Sequence, residues 1–492
     1  MPSKVQFGIE GLDEALDGGL TRDRLYLIEG QPGTGKTTLA LQFLMAGAAA
    51  GERGLYVTLS ETAEELSDTA ASHGWNLDGI DIFELVPPES LLDDEQQQSL
   101  LYSSDLELGE TTRNIFAHVE RTNPSRIVLD SLSEIRLLAQ GSLRYRRQIL
   151  ALKHYFARHK ATVLLLDDMT SEAQDRSVHS VAHGVLRMEE LAPEYGAQRR
   201  RLRIVKYRGS SFRGGNHDFS ILTGGLEVYP RLVAAEHHKG FSRKVVRSGL
   251  PQLDSLLGGG LECGTGTLLI GPAGTGKSLL ALQFVVAAIA QGGKAVMFLF
   301  DEELELLVQR AKGLGLDLDT PMRDGRLVFE TVDAAELSPG EFIHRVRQRV
   351  EKEGVGLVVI DSLNGYQTAM PQEHFLLLHL HELLSFLNRR GIVTLTTVAQ
   401  HGLVGDMKSP VDVTYLSDTV ILLRFFEAGG RIRRALSVIK KRASAHENSI
   451  REMRITTKGI SIGEPLEQFQ GVLTGTPSYF GGGGPLLGGE AG

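Results

Sequence analysis

Short apolar runs that stop on glycine or a polar residue recur along this chain, and the whole series occurs twice. The first half has Leu25-Tyr-Leu-Ile28, Gly54-Leu-Tyr-Val-Thr-Leu-Ser60, Arg126-Ile-Val-Leu-Asp130 and residues 161–166. The second has Leu268-Leu-Ile270, Ala295-Val-Met-Phe-Leu-Phe-Asp301, Leu357-Val-Val-Ile-Asp361 and residues 392–396. Runs this short, apolar on both faces, predict strands buried inside parallel sheets. Between the first two runs of each half lies a helix-like stretch, 39–50 and 279–290, and both contain Leu-Ala-Leu-Gln-Phe. The alternation predicts an α/β fold of two tandem domains, each a mostly parallel sheet flanked by helices.

The link between the first strand and the first helix carries the chemistry. Gly30-Gln-Pro-Gly-Thr-Gly-Lys36-Thr37-Thr38 and Gly271-Pro-Ala-Gly-Thr-Gly-Lys277-Ser278 both fit G-x-x-x-x-G-K-[ST]. Backbone N–H groups of such a loop cradle phosphate, which assigns Gly33, Thr34, Gly35, Lys36, Thr37 and Thr38 to nucleotide binding. Gly274, Thr275, Gly276, Lys277 and Ser278 do the same in the second half. The lysine reaches the β/γ oxygens, the Thr37 or Ser278 hydroxyl is a Mg²⁺ ligand, and the helix N-terminus adds a favourable dipole. ATP and Mg²⁺ are therefore the expected cofactors. Asp13 to Asp254, Lys36 to Lys277 and Glu61 to Glu302 are each 241 residues apart. That constant register indicates duplication.

Further pairs follow. Asp130 and Asp361 end apolar strands, where a carboxylate completes the Mg²⁺ shell. Glu61 and Glu302, the latter beside Asp301, end the preceding strand and can orient the attacking water or acceptor hydroxyl. Ser60 and Asp301 could instead cap the next helix. Residues 161–166 end in Asp167-Asp168, and the matching strand is read as ending at Thr397. Each half closes on basic strands, Gln198–Arg203 into Lys206 and Arg208, and Arg431–Arg434 into Lys440 and Arg442, now 234 residues apart. Alternate residues on a strand point the same way, which suits a lysine–arginine pair reaching a neighbouring subunit's γ-phosphate.

Net charge −9 and pI ≈ 6.0 disfavour nucleic acid as a partner. One cysteine, Cys263, leaves no internal disulfide or thiolate zinc site. No signal-peptide pattern opens the chain, and no apolar run reaches the roughly 18 residues of a membrane span. A cytoplasmic, soluble protein is expected. The expected domains are 1–230 and 247–477, with a linker at 231–246 and a disordered glycine-rich tail at 478–492. His379-x-His381-Glu382 does not read as a metal box, because i and i+2 diverge on a helix. Trp75 reads as core or a partner contact, and Asp93-Asp94-Glu95 as a solvated loop.

With both phosphate loops, both Asp-Ser-Leu strands and both Lys-x-Arg strands in place, residues 5–477 resemble the KaiC family, including Thr474-Gly-Thr-Pro477. The resemblance implies RecA-like domains, a homo-hexameric double ring with ATP at subunit interfaces, and slow hydrolysis in the first domain. It also implies Ser/Thr autokinase activity in the second domain and a Kai-type regulatory partner. The family's Glu-Glu pair is Ser60-Glu61 here, so the first site lacks the leading carboxylate. Its adjacent phosphosites fall on Thr414-Tyr415, with Ser417 nearby, which points to a single phosphorylation on Thr414. The tail also departs from the family's. These departures fit a signalling or stress-response switch in a non-cyanobacterial prokaryote better than a full clock. The rival readings are a DNA-dependent RecA-type motor and a non-hydrolysing, ATP-gated scaffold.

Overall fold

The apolar runs form the strands expected of them. The computed structural model describes residues 3–85, 100–169, 177–192, 196–333, 335–368, 376–400, 414–473 and 478–480. Contacts divide the chain into two units, Met1–Arg231 and Leu232–Gly492.

In the first unit nine strands share one sheet. They are β1 (Leu25–Gly30), β2 (Gly54–Thr58), β3 (Ile80–Glu84), β4 (Arg126–Asp130), β5 (Thr162–Asp167), β6 (Gly184–Leu191), β7 (Arg199–Tyr207), β8 (Asn216–Leu222) and β9 (Gly225–Tyr229). Their order is β9-β8-β7-β6-β1-β5-β4-β2-β3. The six from β3 to β6 run parallel, and β7 to β9 continue antiparallel. The second unit repeats this with β10 (Gly266–Pro272), β11 (Ala295–Leu299), β12 (Leu327–Thr331), β13 (Leu357–Asp361), β14 (Val393–Gln400), β15 (Thr419–Ala428), β16 (Arg431–Lys441), β17 (Ile450–Thr456) and β18 (Gly459–Pro465). Its order is β12-β11-β13-β14-β10-β15-β16-β17-β18.

Alternation along each strand feeds two apolar layers. Tyr26 and Ile28 join one cluster, together with Leu39, Leu41 and Phe43 of α1 (Lys36–Ala49). Leu25 and Leu27 join the other, with Ile149 and Phe156 of the helix Ser142–Arg158. The second unit is built likewise around α2 (Lys277–Ala290). The repeated Gly-Leu-Asp stretch ahead of each phosphate loop has a structural role. Asp13 accepts from Phe7 N at 2.8 Å and Gly8 N at 3.1 Å, and Asp254 accepts from Ser248 N at 2.7 Å. Each carboxylate thereby ties the entering chain to the short helix that precedes β1 or β10.

The stretch expected as a linker has its own contacts in the second unit. Leu232 and Ala234 are buried there, Ala234 N donates to Glu382 at 3.0 Å, and Val245–Val246 pairs with Leu261–Glu262. Ser478–Tyr479 pairs with Phe469–Gln470. Residues 481–492 of the expected tail, Thr474–Pro477 and Asp93-Asp94-Glu95 lie outside the described residues. No helix among the described residues is long and apolar enough to cross a membrane.

Candidate nucleotide sites

β1 and β10 lie where the strand order reverses, the place at which open parallel sheets leave a crevice beyond their C-terminal ends. Each phosphate loop fills that place and leads directly into α1 or α2. Gly35 and Gly276 are the helix N-caps, with φ of 93° and 99°. A Cβ at Gly35 would stand 2.7 Å from Ile221 Cδ1, and one at Gly276 would stand 2.6 Å from Ile455 Cδ1. Glycine is required there both for its left-handed φ and for the close approach. Buried Thr34 and Thr275 brace the loops by donating to Gln31 O (2.8 Å) and Pro272 O (2.9 Å). Lys36 Nζ donates to Gly30 O (2.8 Å) and Gln31 O (3.0 Å), and Lys277 Nζ to Gly271 O (2.9 Å) and Pro272 O (2.8 Å).

The two sites differ in how the lysine and the carboxylates are held. Lys36 also pairs with Asp168 at 3.0 Å. Burial pushes the Lys277 ammonium down to about 8, against the attraction of Asp361. Phosphate bound there restores the charged form. Nucleotide binding by a Lys36→Ala chain at pH 8 is therefore expected to take up on the order of half a proton. Calorimetry in buffers of different ionisation enthalpy reads this uptake; a heat independent of buffer would contradict it.

Asp130 is held from β2, where Tyr56 donates to it at 2.5 Å, and the Thr37 hydroxyl lies within reach of the same phenol. Asp361 is held from the other side, by Thr397 on β14. Met297 replaces Tyr56, and Leu166 replaces Thr397, so each half keeps one hydroxyl donor to its aspartate but supplies it from opposite neighbours. This corrects the expected strand end. The pairings Ile28↔Leu166 and Leu269↔Thr397 put Thr397 level with Leu166, and β14 continues to Gln400. Asp167 is thus level with Val398, and it pairs with Arg136 at 2.5 Å.

The glutamates diverge further. Glu61 Oε2 is buried without a hydrogen-bond partner among the described residues. Burial, then the neighbouring Asp130, Glu65 and Asp168, raise its carboxyl above the usual range, while Lys36 opposes this. Glu302 is tied to Arg310 at 2.6 Å, and Asp301 accepts from Ser362 Oγ at 2.6 Å. Ser131, the counterpart of Ser362, has no such partner, because Ser60 stands where Asp301 would. Neither Ser60 nor Asp301 caps a helix. The following helices start later, with Thr62 as a capping box with Glu65, and with Glu303 as N-cap.

The basic pairs lie away from their own phosphate loops. Lys206 is level with Val185, at the start of β6, and β6 begins opposite Tyr26. Tyr26 is four residues before Gly30, about 13 Å along the strand. Lys206 donates to His179 O and Ala182 O, and Arg208 to Ser180 O. Lys440 donates to Thr414 O (2.9 Å) and Ser417 O (2.7 Å), and Arg442 to Tyr415 O (3.5 Å). Each pair points the same way, toward the turn preceding β6 or β15. Ser417 is buried, and Thr414 is partly exposed.

A family description for the KaiC ATPase matches residues 5–233 and 246–467. The chain belongs to the KaiC ATPase family. Circadian clock protein KaiC3 of Synechocystis sp. is 29% identical over 97% of this chain and 95% of its own. The circadian clock oscillator protein KaiC of Thermosynechococcus vestitus is 28% identical over 96% of this chain and 92% of its own. That of Synechococcus elongatus is 27% identical over 97% and 92%. Membership in an ATPase family implies ATP binding.

Several residues at these KaiC-type sites escape motif reading. Asp168, Tyr56, Thr397 and Arg310 matter only through pairings across strands or along a helix. The signal that could have found Tyr56 is a phenol in a buried strand whose counterpart, Met297, carries no hydroxyl. Arg434 lies against the second loop, 3.4 Å from Gly274 O and stacked over Phe425. Trp75 packs against the first core, beside His73. Of the set-aside histidine cluster, Glu382 is the acceptor for Ala234 N.

Proposed function

We propose that the chain is a ring-forming, Mg²⁺-dependent ATPase whose second unit also transfers phosphate to Thr414, and that it acts as a signalling or timing switch. The reading is carried by the place of Lys206–Arg208 and Lys440–Arg442, at the sheet end opposite their own phosphate loops. Such side chains serve phosphate only from across a subunit interface, which supports a closed ring of identical chains.

Lys36 and Lys277 bind the β/γ oxygens. Mg²⁺ would be held by Thr37 with Asp130 and by Ser278 with Asp361, and would neutralise charge on the phosphates. The partnerless buried Asp361 Oδ2 suits a hard cation that takes few protein oxygens. Glu61 orients water in the first unit and accepts its proton. In the second, Asp301, with Glu302 beside it, accepts the proton of the Thr414 hydroxyl on the adjacent chain as its oxygen bonds to phosphorus and ADP leaves. Thr414 is preferred to buried Ser417, and His179 at the matching place in the first unit has no hydroxyl to phosphorylate. A regulatory partner of the Kai type would read that mark.

Intact mass after incubation with Mg²⁺-ATP, followed by peptide mapping, tests the kinase reading. A gain of one phosphate on Thr414, lost in Thr414→Ala, is expected. Phosphate release without any mass gain would leave an ATPase alone.

A further inference from the structure

We propose that the first unit holds a small-anion site at the N-terminal end of its central strands, where Arg24, Lys153 and His183, flanked by Arg208, take a phosphate group. A cavity of about 180 Å³ opens there, with Phe156 in its wall and Asp23 as the one acidic side chain in its lining. Lys153 Nζ is held toward it by Val181 O at 3.0 Å. Among the described residues none of Arg24, Lys153, His183, Lys206 and Arg208 makes an ion pair, so these basic groups converge with Asp23 as the single carboxylate of the cavity lining. Burial and then these like charges depress the basicity of Lys153, Lys206 and His183. An anion entering the cavity relieves that repulsion.

The duplicated second unit supplies an internal comparison. His183 N donates to Leu25 O at 2.8 Å and its carbonyl accepts from Arg208 N at 3.0 Å. Asp418 makes the same two bonds, with Gly266 O at 2.8 Å and Arg442 N at 3.0 Å. Asp418 therefore stands where His183 stands. Its carboxylate accepts from Gly266 N at 3.0 Å and Asn388 Nδ2 at 3.4 Å, and lies 4.0 Å from Arg442. Leu384 and Thr265 replace Lys153 and Arg24. The second unit thus fills this place with its own anion. The first unit has exchanged that anion for an imidazole and added Lys153 and Arg24 against one carboxylate, Asp23, leaving a basic place for an anion from outside.

Size limits the ligand. Pockets for whole small molecules start at about 300 Å³, so this one suits inorganic phosphate, pyrophosphate or the terminal phosphates of a nucleotide, not a whole nucleotide. The group could be free, or could belong to ATP on an adjacent chain; the latter source alone rests on the ring reading proposed above.

Two measurements on the full chain separate these cases. The first is calorimetric binding of pyrophosphate to a Lys36→Ala/Lys277→Ala chain, with and without Lys153→Leu, the residue found in the second unit. The second is the ATP concentration needed for assembly of chains with intact phosphate loops, again with and without Lys153→Leu. His183→Asp serves as a second variant, and thermal melting checks that both fold. Losing the charge-assisted contact of Lys153 is expected to weaken binding about tenfold or more. A loss in the first measurement assigns the site to a free anion, whatever the state of assembly. A loss only in the second assigns it to the neighbour's nucleotide. Folded variants that change neither overturn the site.

Discussion

Glu61→Gln is expected to lower ATP turnover in the first unit about 100-fold, the usual loss when a positioned general base is removed. Glu61 lies in the turn just after β2, near Asp130, Asp168 and Lys36, and one of its carboxylate oxygens is buried without a hydrogen-bond partner among the described residues. An oxygen left open beside a phosphate loop is available to a water. Glu302 is not, because Arg310 on the following helix holds it. Glutamine at 302 should therefore change hydrolysis less, and Arg310→Ala should raise hydrolysis in the second unit by freeing the glutamate. Each unit is read separately by silencing the other with Lys36→Ala or Lys277→Ala.

The pH profile gives an independent check. The folded Glu61 carboxyl titrates above its ordinary value of 4.5, and only its charged form accepts a proton. Turnover in the first unit should fall on acidification at a pH above 4.5, and Glu61→Gln should remove that acid limb. Unchanged turnover in Glu61→Gln would assign the water to another group and revive the scaffold reading.

The second large effect concerns the basic pairs. Arg208→Ala is expected to lower first-unit turnover about a thousandfold, as loss of a charge acting across an interface does. Mixing distinguishes this from an ordinary structural defect. Arg208→Ala chains have intact loops and Lys36→Ala chains have intact arginines, so mixed rings contain some complete sites. Activity in the mixture above either parent supports a shared site. Activity no higher than the parents' average would mean that Arg208 only braces Ser180 O within its own chain.

Much of this was legible from residues alone. A phosphate loop is read locally, since the glycines, lysine and hydroxyl lie within one turn of chain and act through backbone groups. Asp130 and Asp361 were legible because a polar residue ending an apolar strand stands at the sheet's ligand-binding edge. The duplication was visible because its spacing is constant. Other features depend on contacts distant in sequence. Tyr56 reaches Asp130 across adjacent strands, Asp168 reaches Lys36 from β5, and the extra length of β14 shows only in its register with β10.

The repeated pattern of apolar runs and loops therefore determined two P-loop domains and the positions of their glycine–lysine loops, because those follow from residue order along a single strand–loop–helix unit. Only the tertiary structure decided which glutamate is free, which aspartate is held by which hydroxyl, and where the basic strands end. Those properties arise from side chains brought together by sheet register, and the same motif in two copies placed them in two different environments.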